Sequence, residues 1–260
     1  MRWLFSACGL QALGNLSPGK CALVFDLDGT LAPLVARRED ARVPAATAAR
    51  LHRLSRSWSI AVITGRSASD AAVRLGFEPR CLIGNHGAER WGTPSATDNS
   101  RALQRALDPV REQLQLAAGD LQTRGVEVED KGLSLALHYR QSSDPAAAVA
   151  TLRELLMVPS AGVQSAGVRI AHGHCVVNIT ALNAPDKGDA VRAVLDEWGL
   201  NCALVVGDDS NDEPAFLKAP PGSVTVRIGP METLTAAYFG LEFQSEIDQL
   251  LDVMLSLHAD

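Results

Sequence analysis

Short apolar runs alternate with amphipathic stretches along the first third of the chain. Residues 21–26, 59–63 and 80–84 consist mainly of apolar side chains and have the length of buried strands. A stripe at helical spacing separates the first two runs and consists of Thr47, Leu51, Leu54 and Trp58. A strand, a helix and a second strand in this order predict a parallel sheet with helical crossovers.

The last third of the chain repeats this pattern. An amphipathic stripe over residues 190–198 predicts a helix, and the apolar runs at 202–206 and 223–228 predict buried strands. Together with the first third, they predict an α/β fold with a doubly wound parallel-sheet (Rossmann-like) core. We assign residues 1–87 and 184–260 to this core.

The middle of the chain predicts an inserted α+β cap domain over residues 88–183. Apolar side chains at spacings of four and three predict one long helix between 103 and 121, which Pro109 should kink or break. The stretch at 91–100 contains glycine and proline and is expected to be the linker out of the core. Antiparallel strands are expected at 125–129, 133–139, 168–172 and 175–180. One further helix is expected near 145–157.

Composition and charge narrow the range of partners. The 260 residues are 47% hydrophobic and 21% charged, as in ordinary globular proteins. A net charge of −6 offers no general attraction to nucleic acid or to a membrane surface, so neither is expected as a partner. No stretch approaches the roughly 20 apolar residues of a membrane span, and the N-terminal residues lack a signal-peptide cleavage site. We expect a cytoplasmic protein, with a monomer favoured.

The cysteines point away from a disulfide-stabilised fold. Five cysteines are scattered along the chain without a CxxC pair, and their number is odd. This pattern argues against a disulfide framework and against a structural zinc site. Cys21 and Cys202 lie inside apolar strands and are expected to fill the core.

Four short polar segments occur at the predicted carboxyl ends of core strands. They are Asp26 with Asp28, residues 63–66, Lys187, and residues 205–216. Ligands bind beyond the carboxyl ends of the strands in open parallel sheets, so segments far apart in sequence can converge there. Asp26 and Asp28 are two residues apart on one face of the chain, and their repulsion calls for a cation or a proton.

Phosphoryl transfer from a monoester is the chemistry that these groups predict. Asp26 supplies an oxygen that can attack phosphorus and form an aspartyl-phosphate. Asp28 can protonate the leaving oxygen and afterwards activate water. Thr64 can donate a hydrogen bond to the phosphate, and Lys187 can neutralise its charge.

A metal site is predicted beside the two aspartates. Asp26, the backbone carbonyl of Asp28 and Asp208 would supply the hard oxygen ligands that Mg²⁺ prefers. Asp212 is expected to support the metal from behind these ligands. Mg²⁺ is therefore the expected cofactor.

Several of these residues also have a purely structural alternative. An Asp-x-Asp pair can be a polar strand end, Thr64 can cap a helix that opens at TGRSASD, and Lys187 can be solvated surface. The presence of all four segments in this order favours phosphoryl transfer over these alternatives.

The motif residues resemble those of the haloacid dehalogenase-like phosphatase superfamily. DLDGTL at 26–31, Thr64, Lys187 and GDD at 207–209 carry this resemblance. The insertion between Thr64 and Lys187 corresponds to the cap of the second class in that superfamily. Three further stretches resemble the trehalose-6-phosphate phosphatase family, namely GNHGAE (84–89), EDKGLSLALHYR (129–140) and VVGDDSNDE (205–213).

This resemblance implies hydrolysis of trehalose 6-phosphate to trehalose and phosphate, with a small-molecule sugar phosphate as the binding partner. It also implies a set of substrate-binding residues, which are Arg66, His86, Glu89, Lys131, His138 and Arg140. His138 and Arg140 are expected on one face of a strand, with Leu135 and Leu137 on the opposite, buried face. His86 and Glu89 lie at the expected junction of core and cap.

The chain departs from the pattern of the trehalose family at a few positions. Asn178 and Thr180 stand where that family usually has a glutamate and a basic residue, and Asn211 stands where it usually has threonine. The catalytic acids are unchanged, so the departures concern sugar specificity.

Two alternative functions stay open at this point. The first is a phosphatase of the same superfamily that acts on a different sugar phosphate. The second is a phosphoacceptor switch protein, which also combines aspartates, a threonine and a lysine. The place of the attacked aspartate on the first strand and the large insertion argue against the switch.

Overall fold

The computed structural model describes residues 1–93, 98–157, 167–173 and 175–257. The chain divides into a core unit, Met1–Gly92 with Pro185–Asp260, and an insert unit, Thr93–Ala184. The expected linker at 91–100 includes residues 94–97, which lie outside the described residues, and a helix already begins at Asp98.

The strands and helices are as follows in chain order. The strands are β1 Arg2–Trp3, β2 Cys21–Phe25, β3 Ile60–Ile63, β4 Cys81–Gly84, β5 Glu89–Arg90, β6 Glu127–Asp130, β7 Ser134–His138, β8 Val168–Gly173, β9 Val176–Ala181, β10 Cys202–Gly207, β11 Val224–Ile228 and β12 Phe239–Leu241. The helices are α1 Ala7–Gly14, α2 Ala45–Leu54, α3 Ala68–Ala72, α4 Asp98–Ala106, α5 Asp108–Leu116, α6 Ala118–Thr123, α7 Pro145–Met157, α8 Lys187–Trp198, α9 Glu213–Lys218 and α10 Ile247–Leu257. No helix in the described part of the chain is long and apolar enough to cross a membrane.

The core unit is built on a mostly parallel sheet. Within the described residues its strand order is β1-β12-β11-β10-β2-β3-β4-β5, and only the pairing of β4 with β5 is antiparallel. Strand β2 lies between β10 and β3 and is parallel to both. The expected doubly wound α/β core is confirmed.

Both faces of the core sheet are covered by helices. Along β2, Leu23 and Phe25 pack into one apolar cluster, which also contains residues of α1, α2 and α10. Ala22 and Val24 pack into a second cluster with residues of α8 and α9. Successive strand residues point to opposite faces, so a strand buried on both faces reads as the unbroken apolar run seen in the sequence.

The N-terminal residues are part of the core sheet. Strand β1 pairs in parallel with β12, and the amide of Leu4 donates to the carbonyl of Gly240 at 3.0 Å. Leu4, Leu13 and Leu16 are fully buried or nearly so in the cluster that contains α1, α2 and α10. The first residues of the chain are therefore tied to the fold by both hydrogen bonds and burial.

The insert unit has an antiparallel sheet with helices packed on one face. Its strand order is β6-β7-β9-β8 within the described residues. Leu135, Leu137, Val177 and Ile179 form an apolar cluster with residues of α5, α6 and α7. The long helix expected over 103–121 is divided into α4, α5 and α6, and the first break lies at Leu107, two residues before Pro109, for which a break or kink was predicted.

The expected placement of Arg140 on the strand is wrong. Strand β7 ends at His138, and Arg140 lies exposed in the turn that follows, not on the strand face of His138. Leu135 and Leu137 are buried on one face of β7 as expected, and Ser134 and Ala136 on the other face are equally buried.

Cys21 and Cys202 lie in the core as expected, but the expectation of a fold without a disulfide is wrong. The two residues form a disulfide between the neighbouring strands β2 and β10, whose register places them directly opposite each other. They are separated by 181 residues in the sequence, so no local spacing could indicate the pairing. Among the described residues, Cys8, Cys81 and Cys175 are free thiols.

Candidate active site

Asp26 follows β2 directly at its carboxyl end. Its amide donates to the carbonyl of Val206 at 2.9 Å, which extends the pairing of β2 with β10 by one residue, and the side chain is only 7% exposed. The chain then turns at Gly29, whose φ of +83° favours glycine. A Cβ at this position would collide with the carboxylate of Asp208, so a side chain here would push Asp208 out of the site.

Lys187 links two of the acids in the core unit. It is the first residue of α8, which begins at a capping box formed by Asp186 and Asp189. Its buried Nζ donates to Oδ1 of Asp26 and to Oδ1 of Asp212, both at 2.6 Å. Burial disfavours the ammonium, but the carboxylates of Asp212 and Asp26 outweigh it and raise the pKa of Lys187.

Three carboxylates converge beside Lys187. One carboxylate oxygen from each of Asp26, Asp208 and Asp212 lies within 4.8 Å of the corresponding oxygens of the other two. Burial, together with neighbouring acids, outweighs the attraction of Lys187 and raises the pKa of Asp26 to about 7. Burial also raises the pKa of Asp208 well above its usual range, with Asp26 and Asp212 adding to the effect. One ammonium does not balance this concentration of negative charge.

The acidic cluster suits a hard divalent cation. Oδ1 of Asp208 is buried and, within the described part of the chain, has no hydrogen-bond partner. Asp212 is already engaged, because its Oδ1 binds Lys187 and its Oδ2 accepts from the amides of Asp208 and Asp209 at 3.0 Å each. An orphaned carboxylate oxygen among other carboxylates is what Mg²⁺ would satisfy. Asp212 then orients the loop that carries Asp208.

Thr64 lies at the carboxyl end of β3 and is 1% exposed. Its amide donates to the carbonyl of Ile83 at 2.9 Å, and its Oγ1 accepts from the amide of Arg66 at 3.2 Å. The alternative that Thr64 caps the next helix is wrong, because Ser67 is the N-cap of α3 and accepts from the amide of Asp70.

Asp28 is held by Arg66. The Nε and Nη2 atoms of Arg66 donate to Oδ2 and Oδ1 of Asp28 at 2.6 and 2.7 Å, a two-point pairing of guanidinium and carboxylate. The third nitrogen of Arg66, Nη1, donates to Oδ2 of Asp70 at 2.6 Å. Arg66 was predicted to bind substrate, and the structure places it against the predicted acid–base residue.

His86 lies in a tight turn after β4, and Glu89 begins β5 just after this turn. Asn85 and His86 have φ values of +49° and +59°, which is uncommon for residues with a side chain. The amides of Asn85 and His86 donate to the carbonyls of Arg66 and Thr64, and the carboxylate of Glu89 accepts from the amide of Ala68 and the side chain of Asn85. The turn thus supports the segment that carries Thr64. The carboxylate of Glu89 is part of this support through its hydrogen bonds with Ala68 and Asn85.

Four polar residues of the insert sheet, Glu129, His138, Asn178 and Thr180, share one of its faces. Oε2 of Glu129 lies 3.0 Å from Nε2 of His138 and 3.6 Å from Nζ of Lys131. Asn178 and Thr180 are buried, in β9. Glu129 was missed in the sequence, although it stands two residues before Lys131 and therefore on the same face of the chain.

The predicted core residues are thus brought together in one unit. Asp26, Asp212 and Lys187 are in direct contact, and the carboxylate of Asp208 lies beside them. In the insert unit, Lys131 and His138 share Glu129, whereas Arg140 lies in the exposed turn after β7.

A family model described as Trehalose-phosphatase matches residues 24–232, which include Asp26, Asp28, Thr64, Lys187, Asp208 and Asp212. This chain belongs to the trehalose-phosphatase family. The resemblance seen in the motifs is confirmed by this match, and the haloacid dehalogenase-like phosphatase fold agrees with the observed core.

Curated relatives agree with this membership. The chain is 32% identical over 254 residues to trehalose-phosphate phosphatase of Mycobacterium marinum, which covers 92% of this chain and 63% of the relative. It is 36% identical over 216 residues to a probable trehalose-phosphate phosphatase of Sinorhizobium fredii, covering 80% of this chain and 78% of that protein. The chain spans less than two thirds of the length of the mycobacterial relative.

A solved structure shares the fold. The C-terminal domain of trehalose-6-phosphate phosphatase from C. albicans superposes with a TM-score of 0.79 at 19% identity, covering 95% of this chain and 94% of that domain. At this level of identity the likeness supports the fold of the trehalose-phosphatase family.

Proposed function

We propose that this protein hydrolyses trehalose 6-phosphate to trehalose and phosphate through an aspartyl-phosphate intermediate. Membership of the trehalose-phosphatase family supports the substrate. The observation that carries the proposal is the convergence of Asp26, Asp208, Asp212 and Lys187 at the carboxyl end of β2. This arrangement combines a nucleophile, a counter-charge and a cation site, as phosphoryl transfer requires.

Asp26 is the nucleophile in this proposal. A carboxylate oxygen of Asp26 forms a bond to phosphorus while the bond between phosphorus and the sugar oxygen breaks. Lys187 holds Oδ1 of Asp26 and so fixes the direction of the carboxylate, and its charge offsets that of the incoming phosphate. The hydroxyl of Thr64, which follows β3, donates a hydrogen bond to the phosphate.

Asp28 supplies and recovers the proton. In its protonated form it gives the proton to the sugar oxygen as that oxygen leaves, so that trehalose departs as a neutral alcohol. The resulting carboxylate then takes a proton from water, whose oxygen attacks phosphorus and releases phosphate and Asp26. Arg66 orients the carboxylate of Asp28, the form that takes the proton from water, by its two-point contact.

Mg²⁺ is the cofactor in this proposal. Asp26, Asp208 and the backbone carbonyl of Asp28 would hold it, and Asp212 would orient them from behind. When bound, Mg²⁺ neutralises charge on the phosphate and on the acidic cluster. Asp208 is suited to this role because its buried Oδ1 lacks a partner in the described part of the chain.

Recognition of the sugar is assigned to the insert unit, at Lys131, His138 and Arg140. Lys131 and His138 share the carboxylate of Glu129, which we add to this set. A carboxylate beside two donors can bind sugar hydroxyls by both accepting and donating hydrogen bonds. His86 and Glu89 stay predicted substrate-binding residues of the core unit, and the cytoplasmic location also stays a prediction.

A screen of phosphate release tests this function. The purified chain is supplied with Mg²⁺ and a panel of sugar phosphates, and kcat/KM is measured for each. We expect many turnovers per chain and the highest kcat/KM for trehalose 6-phosphate. A higher kcat/KM for another sugar phosphate would favour the alternative phosphatase, and a single phosphate per chain would favour the switch protein.

A further inference from the structure

A short loop after β10 carries Asp208 to the acidic cluster. Asp208 is the first residue after this strand, and a 3₁₀ turn over Ser210–Asp212 then leads into α9 at Glu213. Asp212 holds the loop on the side of the cluster, because its Oδ2 accepts from the amides of Asp208 and Asp209 at 3.0 Å each. The place of the Asp208 carboxylate therefore depends on how firmly this loop is held.

Glu213 connects the end of this loop to two other parts of the core unit. Its Oε1 accepts from Nη1 of Arg227 at 2.8 Å and from Oγ1 of Thr235 at 2.6 Å. Its Oε2 accepts from the amide of Ala236 at 2.8 Å. A carboxylate with both oxygens engaged by separate donors has a fixed orientation. The first residue of α9 is thus tied to β11 and to the segment that precedes β12.

Arg227 contacts the loop on both sides of its 3₁₀ turn. It lies on β11, in register with Gly207 at the end of β10, and its side chain is only 13% exposed. The Nη1 atom that donates to Glu213 also donates to the backbone carbonyl of Asp209 at 3.3 Å. One side chain therefore joins the residue before the turn to the residue after it. The loop is held by an ion pair that is anchored in the neighbouring strand.

We infer that Glu213 is a positioning residue, which acts with Arg227 to hold the loop of Asp208 in the shape that binds a divalent cation. This inference rests on the proposed function, because it takes Asp208 as a ligand of the metal. Glu213 is not one of the three carboxylates that converge at the site. Without either partner, the turn loses its attachment to β11, and the Asp208 carboxylate is less well fixed. Loss of a group that orients metal ligands typically costs about 10- to 100-fold in metal affinity.

The opposite charges of the two partners separate positioning from simple electrostatics. Glu213→Gln removes a negative charge near the cation site, and by Coulomb attraction alone it weakens cation binding. Arg227→Met removes a positive charge, and by the same reasoning it strengthens cation binding. Positioning predicts that both variants bind the cation more weakly. A general loss of folded protein lowers the number of sites per chain but leaves the dissociation constant of the remaining sites unchanged.

The experiment measures the binding of Mn²⁺ to the full chain without substrate. Mn²⁺ takes the same oxygen ligands as Mg²⁺, and the electron paramagnetic resonance signal of the free ion gives the dissociation constant and the number of sites. We expect Kd to rise by at least ~10-fold in both Glu213→Gln and Arg227→Met. The matched controls are Asp252→Asn and Arg50→Met, which break a two-point ion pair between α10 and α2. Both controls should keep the Kd of the parent.

A third variant covers the case in which the charged residues cannot be replaced without unfolding. Thr235→Val keeps the shape and the charge but removes one donor to Glu213, and it should raise Kd by about two- to fivefold.

Three results would count against the account in different ways. Tighter Mn²⁺ binding by Arg227→Met, or an unchanged Kd in the folded variants, would overturn the inference. A parent that binds no Mn²⁺ would overturn it together with the metal site. A parent that binds Mn²⁺ but releases no phosphate from trehalose 6-phosphate would reject the proposed function alone, and the affinities of the variants would still decide the role of Glu213.

Discussion

The buried acids of the core unit determine what the site can bind. Asp26, Asp208 and Asp212 bring three carboxylates together, and Lys187 supplies one positive charge between two of them. Burial raises the pKa of Asp26 to about 7, so its ionised form is costly without further positive charge nearby. A divalent cation at Asp208 would restore the anionic nucleophile.

Removal of the metal should therefore abolish the proposed phosphatase activity. We expect no phosphate release in EDTA and full recovery on addition of excess Mg²⁺, whereas Ca²⁺ should restore little activity because its coordination is looser and longer. Asp208→Asn should raise the Mg²⁺ concentration for half-maximal activity by at least ~10-fold. Titration of activity against Mg²⁺ measures this.

The neighbouring Asp209 provides the control for that titration. Its carboxylate accepts from the amide of Ser210 and the side chain of Asn211 and so closes the local turn. Asp209→Asn should leave the Mg²⁺ requirement at the parent value. Full activity of the parent in EDTA would reject the metal site.

At the residue scale, side chains next to strand ends could be predicted and their indirect partners could not. Asp26, Thr64 and Asp208 lie directly after strands that the apolar runs indicate, so the parallel sheet places them at one edge. Arg66 and Asp28 are 38 residues apart, and the direction in which Arg66 points is decided by Asp70 and the backbone at Arg38. Such partnerships depend on side-chain orientation, which no spacing encodes.

At the scale of elements, β2 and β10 form the centre of the core sheet and carry the site at one end. Asp26 and Asp208 follow these two strands, and Cys21 and Cys202 are joined at the other end of the same pair. The disulfide thus connects the two parts of the chain that form the core unit. The disulfide lowers the conformational entropy of the unfolded chain, because it joins two residues that are 181 positions apart in the sequence.

Reduction of this disulfide should lower the stability of the core. We expect the free energy of unfolding to fall by about 2–4 kcal/mol in reductant, measured by urea denaturation with and without it. Cys202→Ser should be as unstable as the reduced parent and insensitive to reductant, whereas Cys8→Ser should keep the parent's response. Identical unfolding curves of the parent in both conditions would contradict the prediction.

Elements with a clear hydrophobic period could be predicted from the sequence, and short or interrupted ones could not. The runs at 21–26 and 202–206 became β2 and β10 because four or more consecutive apolar residues match a strand buried on both faces. Strand β1 has two residues and β12 has three, which is too short for any period to show. The apolar stripe over 103–121 continues across the helix breaks, so only Pro109 indicated one of them.

At the scale of the whole molecule, the chain consists of a core unit, which carries the candidate active site, and an inserted unit with its own apolar cluster. The change from parallel to antiparallel strand patterns could be predicted because helical crossovers and hairpins leave different sequence periods. The choice of sugar could not be predicted in the same way. It depends on a few polar side chains, and Asn178 and Thr180 are buried on a sheet whose other polar members include Glu129 and His138.

The central claim is that Asp26 carries the phosphoryl group during hydrolysis of trehalose 6-phosphate. An amide is a poor nucleophile and supplies no charge to a cation, so Asp26→Asn should lose at least ~1000-fold in kcat, about 4 kcal/mol of activation free energy. The most direct measurement is steady-state phosphate release from trehalose 6-phosphate with Mg²⁺ by the parent and by folded Asp26→Asn. We predict many turnovers for the parent and a residual rate at or near background for the variant. Parent-like turnover by Asp26→Asn would contradict the account.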